Sequence, residues 1–96
     1  MLRQNDIVNS LNSLKPKLVN DYKIKNIGLY GSYVKNMQDE NSDIDILIEM
    51  GEPLGWNFFD LKLELESVFN REVDLVTTTS LHPKLKNAIL KEVVFV

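Results

Sequence analysis

Apolar residues near the start of the chain fall at Ile7, Leu11, Leu14 and Leu18, spacings that stack them on one face of a helix. An amphipathic helical region is expected over residues 2 to 21. Pro16 has no backbone N–H to donate, so a break is expected near residues 13 to 15, with Pro16 in the first turn of a second short helix. The period then changes to two. Ile27 and Leu29 share one side of a strand over residues 24 to 30, closed by Gly31-Ser32, and a polar stretch follows over residues 35 to 42. In residues 43 to 50, Ile44, Ile46, Ile48 and Met50 take one face of a strand while Asp43 and Asp45 share the other.

Residues 51 to 55 form a turn-rich loop, after which Asn57 is placed to cap a helix whose apolar stripe runs through Phe58, Leu61, Leu65 and Val68 and covers the sheet. Val73, Leu75 and Thr77 alternate with Glu72, Asp74 and Val76 as a third strand, and residues 78 to 81 connect it to a last helix opened by Pro83. That helix carries Leu85, Ala88 and Ile89. The apolar tail, residues 93 to 96, is expected to pair as a strand or fill the core, Trp56 to pack beneath a loop, and Lys62, Glu64 and Glu66 to form a solvated helix face. His82 reads as a neighbour of the last helix's start rather than as a base. The order is α/β, a small sheet layered by helices.

A length of 96 residues suits a single domain, residues 1 to 96, and 44% hydrophobic with 26% charged residues is an ordinary globular composition. The chain has no cysteine, which removes disulfides and thiolate metal sites. With no long apolar run and no signal-like start, a cytoplasmic location without membrane contact is expected. A formal net charge of −3 has the wrong sign for holding DNA or RNA through phosphate neutralisation, so no direct nucleic-acid binding is expected.

The chemical signal lies in three carboxylates. Asp43, Asp45 and Asp74 occupy strand-like surroundings where a purely structural design favours apolar or neutral side chains. Period-two geometry puts Asp43 and Asp45 on the same side, and Asp74 joins them if its strand lies adjacent. Two carboxylates about 4 Å apart repel by roughly 4 kcal/mol at an effective dielectric near 20, a large share of the ~5–15 kcal/mol that holds a domain together. Such a cluster calls for a cation, and an all-oxygen donor set suits Mg²⁺ or Mn²⁺ better than zinc. Neutralising these three of the 14 acidic residues would leave the chain in balance with its 11 Lys plus Arg. A bare Asp-x-Asp also suits the solvated face of an edge strand, and Gly-Ser alone is a common turn. Together they gain weight, because Gly31 permits close backbone approach and the Ser32 hydroxyl with following N–H groups can cradle phosphate oxygens at a helix start.

Gly31-Ser32, ten intervening residues and Asp43-Ile44-Asp45, within GLYGSYVKNMQDENSDIDILIE, closely resemble the signature of the polymerase-beta-like nucleotidyltransferases, in particular their minimal nucleotidyltransferase (MNT) branch. The resemblance covers essentially the whole chain, and residues 72 to 76 look like the family's third-carboxylate strand. It implies a small mixed β-sheet flanked by helices. It also implies divalent metal at Asp43, Asp45 and Asp74, and a nucleoside triphosphate, ATP, at Gly31 and Ser32. Many relatives have Ala-Arg-Gly where this chain has Val34-Lys35-Asn36. Lys35 keeps the charge without the planar fork of Arg, so a phosphate contact and an exposed solubilising lysine both remain open, while Asn36 can adopt the positive φ of Gly at some cost.

The resemblance further implies Mg-dependent transfer of AMP from ATP to a hydroxyl, a tyrosine, of a cognate HEPN-type toxin, an RNase, with the chain acting as its antitoxin in a hetero-oligomer. Trp56, Phe59 and the apolar tail offer contact surface for such a partner. Two other readings stay open: an antitoxin that neutralises its partner by binding alone, and a small-molecule nucleotidyltransferase, which the length disfavours.

Overall fold

The computed structural model describes residues 2–52 and 55–96. Helix α1 (Gln4–Tyr22) leads into strand β1 (Ile24–Tyr30), a 3₁₀ turn (Gly31–Tyr33) and strand β2 (Ile44–Met50). Helix α2 (Asn57–Phe69), strand β3 (Val73–Thr77), helix α3 (Pro83–Glu92) and strand β4 (Val94–Phe95) complete the order. The expected turn over residues 51 to 55 lies partly outside the described residues.

Helix α1 runs unbroken through Pro16, against the expected break and second helix. Ile7, Leu11 and Leu18 are fully buried on both sides of the proline, with Leu14 partly buried between them. Each such side chain contributes about 1.5–3 kcal/mol on burial, so docking the stripe as one unit outweighs the roughly 3 kcal/mol cost of an interior proline. The Arg3 N–H donates to Asp6 Oδ2 (2.9 Å) at the start of α1, and Lys23 ends it in the left-handed region at φ 57°.

The sheet is mixed, in the order β3-β2-β1-β4, with β2 parallel to β3 and antiparallel to β1, and β4 antiparallel to β1. The parallel pair is reached through the α2 crossover, as parallel neighbours require. Ile27 and Leu29 of β1, Ile44, Ile46 and Ile48 of β2, and Val73 and Leu75 of β3 meet Ile7, Leu11 and Leu18 of α1 and Leu61, Leu65 and Phe69 of α2 in one core cluster.

Three details of α2 depart from expectation. Trp56, not Asn57, is the cap residue, and it makes no side-chain cap bond. The chain is already turning there, since the N–H groups of Phe58 and Phe59 donate to the carbonyls of Gly55 and Trp56 (both 3.2 Å), and a capping side chain is unnecessary. The inward stripe ends at Phe69, leaving Val68 46% exposed, because four-residue steps drift about 40° around a helix of 3.6 residues per turn. Lys62, Glu64 and Glu66 are half-buried rather than a solvated face. Glu64 pairs with Lys17 and accepts from Tyr22 (3.0 Å), while Glu66 accepts from the Val73 N–H (3.0 Å). Burial pushes the Tyr22 hydroxyl up to about 12, with the Glu64 bond adding to it. The outer face is apolar instead: Trp56, Phe59 and Leu63 are 85%, 57% and 62% exposed, so Trp56 lies on the surface rather than beneath a loop.

The tail pairs as a strand, and Gly28 permits it. A Cβ on Gly28 would stand 2.6 Å from Val93 Cγ2, and Gly28 faces Phe95 in the β1–β4 register. This close approach brings the end of α3 against the start of the Gly31 turn. His82 caps α3, accepting from the Lys84 N–H at 3.3 Å. Among the described residues, no helix is long and apolar enough to cross a membrane.

Candidate active site

Tyr30, Asp45 and Asp74 lie side by side across β1, β2 and β3, since Tyr30 pairs with Asp45 and Asp45 with Asp74. The antiparallel and parallel ladders therefore deliver two carboxylates and a phenol to one end of the sheet. Asp43, two residues before Asp45, is exposed just ahead of β2, where the Ile44 N–H donates to the Glu72 carbonyl at 3.0 Å. Asp43 and Asp74 also border a common hollow of about 260 Å³, which Lys62 and Glu66 of α2 help to line.

The segment between the Gly-Ser turn and Asp43 is short and tied. Met37 N–H donates to the Ser32 carbonyl (2.8 Å), and Asp39 Oδ1 accepts from Asn41 N–H (2.8 Å) while the Asp39 N–H donates to Ser42 Oγ (2.9 Å). These local bonds are the usual work of Asp, Asn and Ser in turns. Asn36 holds φ 58°, the conformation expected of it. Gly31, at φ 81°, has no room for a side chain: an added Cβ would overlap Asp45 Oδ2. The aspartate packs directly on the glycine backbone, so glycine is required twice over. The Gly-Ser pair opens a three-residue 3₁₀ turn rather than the expected helix, with the Val34 and Lys35 N–H groups returning to the Gly31 carbonyl (both 3.1 Å). Gly31 and the half-buried Asp45 thus meet, while Ser32 follows in the turn and Lys35 is held to it through its N–H.

The charges at this end of the sheet are unbalanced. The Asp45 carboxyl is pushed up to about 6, by burial first and then by the charges of Asp74, Asp43 and Glu92. Tyr30 is raised from its ordinary value by burial and by Asp74, Asp45 and Glu92. Among the described residues no Lys or Arg forms an ion pair with Asp43, Asp45 or Asp74, and no three metal-ligating side chains already converge as a cage. An all-oxygen carboxylate set with its own charge uncompensated fits a hard divalent cation, which would relieve the repulsion that raises Asp45. Two residues near this end carried no signal in the sequence motif. Tyr30 is one. Glu92 is the other: it accepts from the Gly31 N–H (3.1 Å) and pairs with Lys35 (3.1 Å). An acidic residue in the last turn of a helix, against the helix dipole, was the available clue.

A glycine-serine turn whose glycine packs on the second aspartate of an Asp-x-Asp at the start of a strand, with a third aspartate on the parallel neighbour, is the arrangement expected of a nucleotidyltransferase. The nucleotidyltransferase domain family model matches residues 11–96, and the chain belongs to that family. It is 36% identical over 97 residues to the protein adenylyltransferase MntA of Thermococcus cleftensis, spanning 100% of this chain and 98% of that protein. It is 44% identical over 91 residues to a candidate protein adenylyltransferase of Methanocaldococcus jannaschii, spanning 88% and 96%. Among solved structures, a toxin-antitoxin with AMP-PNP is similar at TM-score 0.73 and 30% identity, covering 86% of this chain and 69% of that one. The MNT antitoxin in complex with a tri-AMPylated HEPN toxin of Shewanella oneidensis is similar at TM-score 0.70 and 26% identity, covering 96% and 70%.

Proposed function

We propose that this chain transfers AMP from ATP to a tyrosine hydroxyl of a HEPN-type toxin and thereby serves as its antitoxin. The observation that carries the reading is the register of Asp45 against Asp74 with Gly31 packed on Asp45, since it sets acidic metal donors beside a tight backbone turn. The similar toxin-antitoxin structures, one with AMP-PNP and one with an AMPylated HEPN toxin, support both the nucleotide and the acceptor.

In this reading Gly31, Ser32 and Lys35 bind the triphosphate, and Asp43 and Asp45 hold the nucleotide-bound Mg²⁺ (or Mn²⁺). Asp74 completes a second metal position or takes the proton from the acceptor hydroxyl. The metal, when bound, would neutralise charge on the attacking and leaving oxygens. The acceptor oxygen bonds to the α-phosphorus, the bond from that phosphorus to the bridging oxygen breaks, pyrophosphate leaves and the hydroxyl proton is released. The protein's own contribution is to fix the α-phosphorus against the acceptor.

Among the described residues Asp43 is exposed and Asp45 only half-buried, which leaves room for an acceptor presented by a docked partner. The exposed line of Trp56, Phe59 and Leu63 on α2, with the Trp56 and Phe59 rings 6.3 Å apart, supports protein docking. Incubation with the cognate toxin, Mg²⁺ and α-labelled ATP tests the reading. Label on a toxin tyrosine is expected; label on a small molecule, or a neutralised toxin that carries none, would overturn it.

A further inference from the structure

Glu92 is the last residue of α3, where the negative end of the helix dipole disfavours a carboxylate. It is held there by two contacts outside its helix. Its Oε1 accepts from the Gly31 N–H at 3.1 Å, and its Oε2 pairs with Lys35 Nζ at 3.1 Å. The Glu92 side chain is only 24% exposed, whereas Lys35 is 55% exposed, so the anchored partner is the glutamate. The backbone that carries it is fixed, because Val93 crosses close over Gly28 and β4 pairs with β1 directly after it, while the carboxylate itself can swing away on its side-chain torsions.

A backbone N–H at a tight turn and a lysine ammonium are both donors that bind phosphate oxygens. The geometry points to Glu92 as an internal stand-in for the triphosphate: its carboxylate occupies the Gly31 and Lys35 donors, and nucleotide must displace it to bind. Glu92 thus sets the affinity of the site for polyphosphate as a positioning residue. It keeps the Gly31 N–H and Lys35 aligned while the site is empty, and it opposes ligands too weakly charged to compete. The inference rests on the nucleotide-binding reading of Gly31 and Lys35 given above.

A double-mutant cycle tests it by calorimetric titration of Mg-AMP-PNP, and of Mg-tripolyphosphate, into the intact chain. Glu92→Gln is expected to tighten both about fivefold, the order of a partly exposed ion pair and its hydrogen bond. Lys35→Ala is expected to weaken binding several-fold more in the Glu92→Gln background than in wild type, because wild-type Lys35 must first leave its carboxylate. Glu92→Asp keeps the charge but is too short to span both donors. Tightening there as well assigns the effect to the contact rather than to field strength, and it serves equally if Glu92→Gln does not fold. Unchanged or weaker binding in Glu92→Gln and Glu92→Asp overturns the inference, as does a Lys35→Ala penalty equal in both backgrounds. No binding in any variant, wild type included, would overturn the nucleotide-site reading itself and the inference with it.

Discussion

The two flanks of β2 treat negative charge in opposite ways. Toward β3, Asp45 meets Asp74 in parallel register with Asp43 two residues away, and no cation of the described residues answers them. Toward β1, beyond the Tyr30–Gly31 corner, the Glu92 carboxylate is matched by the Gly31 N–H and Lys35. A fold gains nothing from leaving carboxylates unmatched when the neighbouring strand shows that matching is available. In the proposed reading the unmatched side is the one that takes a cation from outside, and the matched side is where donors for an anion are kept.

The largest effect is expected on the unmatched flank. Asp45→Asn and Asp74→Asn should each lower AMP transfer by about 10²- to 10³-fold or more, measured as the single-turnover rate on the partner protein, because in the proposed reading each removes a carboxylate that would hold the metal or take the acceptor proton. Gly31→Ala touches both flanks at once. Its Cβ would drive into Asp45 from a positive-φ position, so a loss of about 1–3 kcal/mol is expected in urea unfolding, along with loss of transfer.

Stability without metal should change in the opposite sense to activity. Because the folded-state value of Asp45 is raised to about 6 from an ordinary 3.8, the folded chain holds a proton that the unfolded chain has released between those values. Stability without metal should therefore fall as pH rises from about 4 to above 6, and Mg²⁺ should recover it. Asp45→Asn should remove this cost and stabilise the metal-free chain at neutral pH by about 1 kcal/mol after allowance for solvent screening, read from paired urea curves. The smallest effect is expected on the matched flank. Lys35→Ala alone should weaken Mg-AMP-PNP only a few-fold, since wild-type Lys35 must first give up its pairing with Glu92.

The sequence made the polar architecture legible where chemistry and period coincided. A two-residue period puts Asp43 and Asp45 on one side, whereas Asp74 joins them only because β3 lies beside β2, a neighbour relation that no local pattern carries. The helices follow long-range packing more than local signals. Pro16 suggested a break that long-range burial of Ile7, Leu11 and Leu18 overrode. The stripe on α2 drifted to Phe69, and the acidic residues beside it proved to tie α2 to α1 and β3. Glu92 was illegible because its partners lie 61 and 57 positions upstream, a proximity created by the Gly28–Val93 crossing rather than by any local pattern.

The most direct measurement is a carboxyl ¹³C NMR titration of Asp45 against pH, without metal and with saturating Mg²⁺ and AMP-PNP. A midpoint near 6 is expected in the metal-free chain, displaced well downward when the ion and nucleotide bind. An Asp45 midpoint at the ordinary aspartate position, unmoved by Mg²⁺ and AMP-PNP, would contradict it.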